Sequence, residues 1–539
     1  MSGEHGPGAG APPLPVEALG RVHLVGVGGA GVSVVARLLA ARGVPVQGSD
    51  AATSPALDAL RADGVHVWVG HDAAHVVGAD GDPLVDSVVV SSAVRESNPE
   101  LVAARAAGIR VLHRSQALAS LMVDRRAVAV AGAHGKTTTS AMVATVLRAC
   151  GVDASFAIGG TVRVRDADST EHAVPGGYLG TSDVLVAEAD ESDGSFLNYA
   201  PTIAVVTNVE PDHLDHYRSQ EAFEQAFVAF AGHIAVGGAL VACADDPGSA
   251  ALAVAHRAAG GRVVTYGLAA DADVRVRDVV PGAGTVSATV GGGPLGDGPY
   301  ALRLDVPGAH NALNATAAVV AAVLLGVPAD RAVAGAGTFV GTGRRFELRG
   351  EAAGVRVFDS YDHHPTEVAA LLRAARPVAG DGRIVVLFQP HLYSRTRIFA
   401  QRFAEALALA DEVVVTGVYR AREDVDPAVG AHTITGLAPR TVTGGAVRAV
   451  EDRAEAAHVA ARAARRGDIV LTVGAGDVTE LGPVILADLA DRAGRTDRTD
   501  RTDRTDHSVG AVRDGGTGPG GAADGVAGPV GPGTEESMD

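Results

Sequence analysis

The residue most suited to chemistry is the one lysine of the sequence. All but one of the 45 basic residues are arginine, and the exception, Lys136, follows Gly132 and Gly135 in the segment AVAVAGAHGKTTTS. A compact ammonium fits a narrow loop that excludes a planar guanidinium. Glycines between an apolar strand and a helix let backbone N–H groups surround phosphate oxygens, and the Thr137 hydroxyl can bind Mg²⁺. The segment predicts an ATP-binding P-loop, although Val130 stands where the standard pattern has its first glycine.

Polar side chains follow the apolar runs VLVAE and TIAVVTN further along the chain. The residues concerned are Glu188, Asp190, Glu191, Asp193, Asn208, Asp212 and His213. Ligands gather at the carboxyl ends of parallel strands, so these segments can converge on the P-loop. Carboxylates beside a phosphate site suit a hard divalent cation. We therefore expect a magnesium site that includes Glu188, and we expect His213 to be functional.

A second glycine-rich turn, GVGGAG at 26–31, lies between a strand-like run and a helical run. Such a turn brings a phosphate close to the N–H groups of a helix N-terminus. Asp50 ends the next strand-like segment, where it is positioned for a ribose hydroxyl. Taken alone, these residues suggest either a dinucleotide-dependent oxidoreductase or merely a tight turn. The P-loop on a second module weakens the oxidoreductase interpretation, because hydride transfer needs no triphosphate.

The composition narrows the class of protein. The chain has 539 residues, 47% of them hydrophobic, and at ~150 residues per domain it is long enough for three or four. A net charge of −18 opposes binding to nucleic acid or to an anionic membrane. Cys150 and Cys243 are too few for a disulfide framework. No secretory signal is visible, and the Ala-rich run at 311–329 suits a buried helix better than a membrane span, so we expect a cytoplasmic protein.

Short apolar runs alternate with helical stretches in three successive series. The first begins with VHLVGVG, the second with AVAVAGAHG and the third with GVRVFDS. Such alternation predicts βαβ units and a parallel sheet in each series. After about residue 492 the pattern stops, and the Arg-Thr-Asp triplets at 495–506 with the Gly-, Ala- and Pro-rich segment 507–539 predict a solvated tail.

Further motifs make the pattern specific. They are GVGGAGVS, SSAV followed by SNPE, LASLM, AGAHGKTTT, EADESDGSFL, TNVEPDHLDHY, PGAHNALNATAA, GTGRRFE, FQPHLYSRT and VGAGD. In this order and spacing, over residues 20–490, they resemble the Mur ligase family. The resemblance implies an α/β protein with an N-terminal Rossmann-like domain, a central P-loop ATPase-type parallel sheet and a C-terminal Rossmann-like domain that closes over both. The implied boundaries are a disordered tail at 1–19, a UDP-sugar domain at 20–122, an ATP-binding domain at 123–342, an amino-acid and closing domain at 343–492, and a disordered tail at 493–539.

The reaction implied by the resemblance joins L-alanine to UDP-N-acetylmuramate, with ATP and Mg²⁺, in peptidoglycan precursor synthesis. A carboxylate is a poor acyl donor, so it first takes the γ-phosphoryl group and becomes an acyl phosphate, which the amine then attacks. Two Mg²⁺ ions, Lys136 and an arginine would neutralise the charge between the two anionic reactants. A histidine near neutrality can take the amine proton, and His213 and His363 are both candidates.

The resemblance also assigns site residues, each carried over from a matching motif. Those on the ATP side are Gly132, His134, Gly135, Lys136, Thr137, Thr138, His310, Asn311, Asn314, Arg345 and Asp359. Those on the UDP-sugar side are Gly28, Gly29, Ala30, Gly31, Asp50, Ser91 and Ser92. Those reaching the amino acid and the acyl phosphate are Tyr361, His363, His364, His391 and Arg395. The implied Mg²⁺ ligands are Thr137 for one ion and Glu188 and His213 for a second, and the implied catalytic residues are Lys136, Glu188, His213, His363 and Arg395.

Several positions depart from the family pattern. Ala133 replaces the threonine before the P-loop histidine, and Arg422 stands where glycine is common. Ser360 replaces the second acid after Asp359, and Asp362 replaces a small residue. The changes at 360 and 362 concern the contacts of ATP and of the third domain more than the overall reaction. The carbamylated lysine of several sister ligases is impossible here, because the only lysine belongs to the P-loop.

Three other functions stay open at this point. A ligase that attaches a ready-made peptide to the same sugar nucleotide would share nearly all the motifs. An NAD-dependent oxidoreductase would rest on the turn at 26–31 and Asp50. A non-enzymatic ATP-binding regulator would need a decayed site, whereas the P-loop, the acids and the histidines are all present. We expect small-molecule substrates and no nucleic-acid or membrane partner.

Overall fold

Each series of apolar segments forms its own β-sheet. The computed structural model describes residues 13–165, 170–421, 423–438 and 440–506. The elements of the first series are β1 (Val22–Val25), α1 (Ala30–Ala41), β2 (Val46–Asp50), α2 (Pro55–Ala62), β3 (His66–Val69), β4 (Ser87–Val90), α3 (Pro99–Ala106), β5 (Arg110–His113) and α4 (Arg114–Met122). Their strands are parallel in the order β3-β2-β1-β4-β5. The turn after β1 therefore lies where the strand order reverses, the position at which open α/β sheets bind ligands.

The second series forms the central sheet. Its elements are β6 (Arg126–Ala131), α5 (Lys136–Ala149), β7 (Ser155–Ala157), β8 (Val162–Arg165), β9 (Glu171–Val174), β10 (Gly177–Tyr178), β11 (Val184–Glu188), β12 (Ile203–Val206), α6 (Leu214–Tyr217), α7 (Gln220–Gly232), β13 (Ala239–Cys243), α8 (Pro247–Ala258), β14 (Val263–Gly267), β15 (Val274–Pro281), β16 (Val286–Gly291), β17 (Tyr300–Leu304), α9 (Ala309–Leu324) and α10 (Ala329–Ala336). The order is β10-β7-β11-β6-β12-β13-β14-β15-β16-β17, and β8 pairs with β9 separately. The predicted parallel sheet spans β7 to β15, but β10, β16 and β17 add antiparallel edges.

The register of β6 with its two neighbours brings the functional segments together. Glu188, at the end of β11, lies opposite Val130 of β6. Val206, at the end of β12, lies opposite Ala131, the last residue before the P-loop. The carboxyl ends of three adjacent parallel strands thus meet at one edge of the sheet, as the sequence predicts.

The third series forms a sheet with the order β18-β19-β23-β20-β21-β22, parallel except for β18. Its elements are β18 (Glu347–Ala352), β19 (Val355–Ser360), α11 (Pro365–Ala379), β20 (Ile384–Phe388), α12 (Tyr393–Leu407), β21 (Glu412–Val415), α13 (Ala431–Thr435), β22 (Val447–Ala449), α14 (Arg453–Ala463), β23 (Ile469–Val473) and α15 (Leu481–Asp506). Strands β20 and β23 are buried throughout, since helices cover both faces of the sheet.

The two predicted tails differ from the structure near their inner ends. Val16 and Leu19 form a short helical turn whose apolar side chains are buried in the first core, so order begins before residue 20. Helix α15 runs on to Asp506, through the triplets predicted to be a tail. Residues 490–539 form a unit separate from residues 1–489, and the predicted tail segments 1–12 and 507–539 lie outside the described residues.

The hydrophobic core joins the first two sheets. One cluster of buried side chains includes Leu24 and Leu38 of the first sheet and its helix, together with Phe223 and Phe227 of α7. A second cluster fills the opposite face of the central sheet beneath α5 and α9. The Ala-rich run thus belongs to a buried helix, and within the described part of the chain no helix is long and apolar enough to cross a membrane.

Candidate active site

The P-loop lysine is folded back onto its own loop. Lys136 begins α5, and its Nζ donates to the Gly132 carbonyl at 2.7 Å and to a Glu191 carboxylate oxygen at 2.9 Å. Burial alone would lower the pKa of Lys136, but the charges of Glu191, Asp190 and Glu188 raise it. The ammonium is therefore a fixed positive charge at the mouth of the loop.

Two glycines give the loop its shape. Gly132 has φ +135°, and a Cβ there would lie 2.2 Å from Thr207 Oγ1. Gly135 has φ +80° and precedes α5, whose N-terminus is capped by no side chain of the described residues. Asn208 holds the loop from the next strand, since its Oδ1 accepts from His134 N at 2.9 Å and its Nδ2 donates to His134 O at 3.0 Å. The open helix terminus and the lysine fit a triphosphate.

Glu188 contacts the first turn of α5. Its carboxylate accepts from Thr137 Oγ1 at 2.8 Å and from the backbone N–H of Gly159 at 2.8 Å. A hydroxyl and a carboxylate beside a phosphate site are the oxygen ligands that Mg²⁺ prefers, and phosphate and water oxygens commonly complete its octahedron. Thr137 and Glu188 therefore fit a magnesium ion bound together with a nucleotide.

His213 lies beside Glu191. Its Nε2 is 3.6 Å from Glu191 Oε1, and burial lowers the pKa of His213. The residue has φ +53°, a left-handed backbone that non-glycine residues rarely adopt. Its neighbour Asp212 is buried in a bidentate ion pair with Arg395 of α12, with the Arg395 Nη2 atom 3.0 and 3.1 Å from the two carboxylate oxygens. This pair connects the central sheet with the third domain at the site.

The N-terminus of α9 approaches the P-loop from the opposite side. A Cβ on Gly135 would lie 3.1 Å from the Asn314 side-chain oxygen. Asn314 Nδ2 donates to Asn311 Oδ1 at 3.3 Å, and Asn311 in turn donates to the carbonyl of Pro307 at 2.7 Å. His310 is exposed in the first turn of α9 beside Asn311, whereas Asn314 is buried one turn later, so the three residues assigned to the nucleotide are near one helix end.

The first residues of the third domain carry an arginine network. Arg345 Nη1 donates to Asp362 at 3.1 Å and to Glu367 at 3.3 Å. Ser360 donates to Asp362 as well, so the two departures from the family pattern contact each other. Burial raises the pKa of Asp362 to about 6, and the charge of Glu367 adds to the effect. The acid absent at position 360 is present two residues later, where it holds Arg345.

Asp359 has a structural environment in the described part of the chain. It is buried, pairs with Arg344 at 3.2 Å, and accepts from Thr472 and Thr479 at 2.8 Å. These partners all belong to the third domain. Asp359 therefore pairs with Arg344 and is not in direct contact with the network around Arg345.

Four ring side chains surround the end of β19. Tyr361 is 36% exposed and lies under the guanidinium of Arg345, 5.5 Å from its ring centre. The His363 and His391 rings are 5.7 Å apart, and His364 lies 4.4 Å from the P-loop His134 ring. Burial lowers the pKa of His363 well below its usual range, so its imidazole is neutral and is a weaker base than a free histidine.

The first glycine-rich turn is built differently. Gly28 N donates to Asp50 Oδ2 at 2.8 Å, so Asp50 holds the turn itself. Gly29 precedes α1, which no side chain of the described residues caps, and Ala30 and Gly31 form its first turn. Ser92 donates to Asp193, a residue of the acidic loop after β11, and Ser91 is its neighbour in the loop after β4. The predicted UDP-sugar residues thus line the carboxyl end of the first sheet and face the central sheet.

Family models match three successive parts of the chain. They are a Mur ligase family catalytic domain at 21–126, a Mur ligase middle domain at 130–322 and a Mur ligase glutamate ligase domain at 344–476. The chain belongs to the Mur ligase family. Its three-domain α/β fold is the fold of that family.

Relatives in this family are similar over nearly their whole length. The chain is 58% identical over 473 residues to a UDP-N-acetylmuramate–L-alanine ligase of Kineococcus radiotolerans, covering 87% of this chain and 96% of the relative. It is 51% identical to a ligase of the same name from Saccharopolyspora erythraea, covering 87% and 94%.

Solved structures of Mur ligases resemble the whole fold. A UDP-N-acetylmuramate-alanine ligase of Thermotoga maritima is 29% identical with a TM-score of 0.68, covering 88% of this chain and 99% of that one. A murein peptide ligase of Psychrobacter arcticus is 25% identical with a TM-score of 0.65, covering 87% and 98%.

Sequence reasoning about this Mur ligase did not single out several residues of the site. Glu191 is buried between Lys136 and His213, whereas the sequence distinguishes only Glu188 within this acidic cluster. Glu367 lies outside the motifs that point to the site, although it accepts from the backbone N–H of His363 and pairs with Arg345. The capping pattern at the start of α11 was a signal for Glu367. Arg422 lies outside the described residues.

Proposed function

We propose that this chain is an ATP-dependent ligase that joins L-alanine to UDP-N-acetylmuramate and forms UDP-N-acetylmuramoyl-L-alanine, ADP and phosphate. The single lysine, held between the P-loop carbonyls and Glu191, is the observation that carries the ATP-dependent part. The L-alanine part rests on relatives of that name that are more than half identical over nearly their whole length. A reaction that consumes ATP is expected in the cytoplasm.

The charges around the P-loop support transfer of a phosphoryl group to a carboxylate. Lys136 would bind β- and γ-phosphate oxygens, and Arg345 would approach the γ-phosphate from the third domain. Magnesium would neutralise charge on the phosphates, with Thr137 at one ion and with Glu188, which is hydrogen-bonded to Thr137, and His213 at a second. Fixed cations aimed at developing negative charge lower the barrier, because they need no reorganisation during the reaction.

Formation of the amide requires an amine without its proton. His213 and His363 are the two candidates for accepting that proton, and burial lowers the pKa of both, which keeps each imidazole neutral at pH 7 but makes it a weaker base than a free histidine. His363 lies with Tyr361 and His391, on the side we assign to the amino acid, and His213 lies with Glu191. Arg395, paired with Asp212, would hold the third domain over the acyl phosphate and exclude water from it.

The first domain would bind the sugar nucleotide. The uncapped N-terminus of α1 supports diphosphate binding at Gly28, Gly29, Ala30 and Gly31. Asp50 would contribute through the geometry of the turn, since its carboxylate is bonded to Gly28 N. Ser91 and Ser92, in the loop after β4, would contact the sugar portion and orient it toward the central site.

A substrate panel tests the proposal. The purified protein is given ATP, Mg²⁺ and UDP-N-acetylmuramate with L-alanine, glycine, L-serine or a tripeptide, and phosphate release is measured. We expect release with L-alanine, and none when either the sugar nucleotide or the amino acid is left out. Release with the tripeptide but not with L-alanine would identify a peptide ligase instead, and NAD(P) binding at the turn 26–31 would support an oxidoreductase.

An isotope experiment tests the intermediate. The carboxylate of UDP-N-acetylmuramate is labelled with ¹⁸O, and the phosphate formed is examined by mass spectrometry. If the carboxylate is activated as an acyl phosphate, one labelled oxygen leaves with the phosphate when the amine displaces it. Phosphate that carries no label would contradict an acyl-phosphate step while leaving the overall ligation intact.

A further inference from the structure

Two histidines and a glutamate from three elements meet at the junction of the P-loop with the third domain. His134 belongs to the P-loop, Glu210 follows β12, and His364 caps α11. One potential ligand atom from each lies within 4.8 Å of the others. Among the described residues, this is the one group of three histidine, cysteine or acidic side chains with that geometry.

The separations match those of ligands around a small tetrahedral ion. His134 Nε2 is 3.2 Å from Glu210 Oε2. Ligands about 2.0–2.1 Å from a tetrahedral Zn²⁺ are about 3.3 Å from each other. The His134 and His364 rings lie 4.4 Å apart at an angle of 31°, which leaves both within reach of one ion.

His364 carries an unused ring nitrogen. The residue is fully buried, and its Nε2 has no hydrogen-bond partner among the described residues. Its Nδ1 accepts only a long bond of 3.4 Å from Thr366 N. A buried imidazole nitrogen without a partner is costly unless another group binds there, and a metal ion would be such a group.

The surroundings resemble the outer shell of a metal centre. Glu367 Oε1 lies 3.7 Å from His134 Nδ1, on the side of the ring opposite Glu210. A carboxylate behind a ligating histidine fixes the ring and strengthens it as a ligand. Arg402 donates to Glu210 Oε1, and the Thr366 hydroxyl lies 2.9 Å from Oε1 and 2.8 Å from Oε2, so these two side chains fix the Glu210 carboxylate while Oε2 also faces His134 Nε2.

We propose that His134, Glu210 and His364 form a site for a transition-metal ion such as Zn²⁺, separate from the magnesium ligands Thr137 and Glu188. Two imidazoles and one carboxylate favour zinc over magnesium, which prefers oxygen ligands alone. Because His134 is on the P-loop and His364 on the third domain, the ion would link the two and oppose their separation, which binding and release of the nucleotide require. The inhibitory consequence rests on the proposed function, whereas the binding does not.

Calorimetry with the full chain, without substrates and with excess Mg²⁺, tests the binding. We expect one equivalent of Zn²⁺ in the wild type and at least about tenfold weaker binding in both His364→Gln and Glu210→Gln. His432→Gln, at an exposed histidine outside the cluster, is the matched control and should bind like the wild type. Unchanged affinity in the two cluster variants, or no Zn²⁺ binding to the wild type, would overturn the site.

Soaking a crystal of the wild-type protein in Zn²⁺ tests the site without relying on the folding of variants. An anomalous peak within bonding distance of His134, Glu210 and His364 is expected, and a peak only elsewhere would contradict the proposal. In the ligase assay, Zn²⁺ added over saturating Mg²⁺ should inhibit the wild type at least about tenfold more strongly than Glu210→Gln, each relative to its own rate with Mg²⁺ and without Zn²⁺. Zn²⁺ binding without inhibition would retain the site and reject its regulatory consequence.

Discussion

The two glycine-rich turns of this protein share a backbone plan and differ in the side chains around it. Each follows a central parallel strand, β1 or β6, and each precedes a helix that no described side chain caps. The turn at Gly28 is held by Asp50, and the cation beside it is Arg114, whose Nη1 would lie 3.1 Å from a Cβ on Gly31 and which pairs with Asp190. The turn at Gly135 is followed by Lys136, with Glu188 and Glu191 beside it. In both turns the backbone geometry predicts that an anion binds. The side chains at the neighbouring strand ends determine which anion it is.

The acidic loop after β11 is divided between the two regions. Glu188 and Glu191 face the P-loop, whereas Asp190 pairs with Arg114 and Asp193 accepts from Ser92, both in the first domain. One short loop therefore touches both sides of the site. This arrangement would keep the sugar nucleotide and the triphosphate in a fixed relation.

Two buried glutamates show the same contrast in their pKa values. Glu100, in the first domain, accepts from Ser49 and His75, each at 2.6 Å. Burial would raise its pKa, but these bonds and His23 lower it to about 2. Burial raises the pKa of Glu191 to about 7, with Asp190 adding to the effect and Lys136 opposing it. Hydrogen bonds within the first domain keep Glu100 ionised. Glu191 instead changes its protonation state near neutral pH, beside the site for ions.

The largest expected effect is that of Lys136→Arg. The planar guanidinium does not fit between the Gly132 carbonyl and Glu191, so kcat should fall by about 10³-fold or more. Steady-state phosphate release measures it, with circular dichroism as the folding control. Binding of UDP-N-acetylmuramate to the first turn should be unchanged. If Lys136→Arg kept a tenth of the wild-type activity, the two turns would differ less in their need for a specific side chain than we argue.

Next in size is Glu188→Gln, which removes a charge from the magnesium side. The Mg²⁺ concentration for half-maximal activity should rise by about tenfold or more. Asp50→Asn is the matched variant at the other turn. It should raise the KM for the sugar nucleotide and leave the Mg²⁺ titration unchanged. Equal Mg²⁺ curves for wild type and Glu188→Gln would exclude Glu188 from the metal site.

Glu100→Gln tests how much one buried carboxylate of the first domain contributes to the free energy of unfolding. Because the folded pKa of about 2 lies below the ordinary 4.5, the stabilisation is present above pH 4.5 and is lost as the pH falls toward 2. The variant should lose about 3 kcal/mol of unfolding free energy at pH 7, and the difference should shrink below pH 4.5. Trp68, the only tryptophan, stacks on His75 and reports this region by fluorescence. A difference independent of pH would contradict the assignment.

The smallest effect is expected from ending the chain after residue 492. Residues 490–539 form a separate unit from the one that contains both turns. Melting temperature and kcat should therefore match those of the full chain. Loss of folded protein on truncation would show that the C-terminal segment stabilises the rest.

The sequence predicts the parts of this structure that local patterns determine. The apolar runs before Gly26, Lys136 and Glu188 are strands, because β-branched runs next to glycine turns leave few alternatives. The pairing of Asp212 with Arg395 joins residues 183 positions apart, which no local pattern contains. The antiparallel strands β16 and β17 have alternating sequences, but the βαβ pattern predicts only parallel strands, and the pairing of β16 with β15 and of β17 with β16 depends on tertiary contacts.

The departures from the family motif at Ser360 and Asp362 cannot be interpreted one residue at a time. Ser360 and Asp362 each look unfavourable when read singly against the family motif. In the structure the Ser360 hydroxyl donates to Asp362, and Asp362 holds Arg345, so the two changes compensate each other. Only coordinates show that two neighbouring substitutions form one network.

The central claim is that the turn at 132–135 takes the triphosphate and the turn at 26–31 takes the sugar nucleotide. A crystal structure with UDP-N-acetylmuramate, Mg²⁺ and a non-hydrolysable ATP analogue tests it most directly. We predict the analogue's β- and γ-phosphates at Lys136 with Mg²⁺ on Thr137 and Glu188, and the diphosphate of the sugar nucleotide at the N-terminus of α1. Phosphates of the analogue at Gly28, or a Lys136 side chain that contacts no phosphate, would contradict the account.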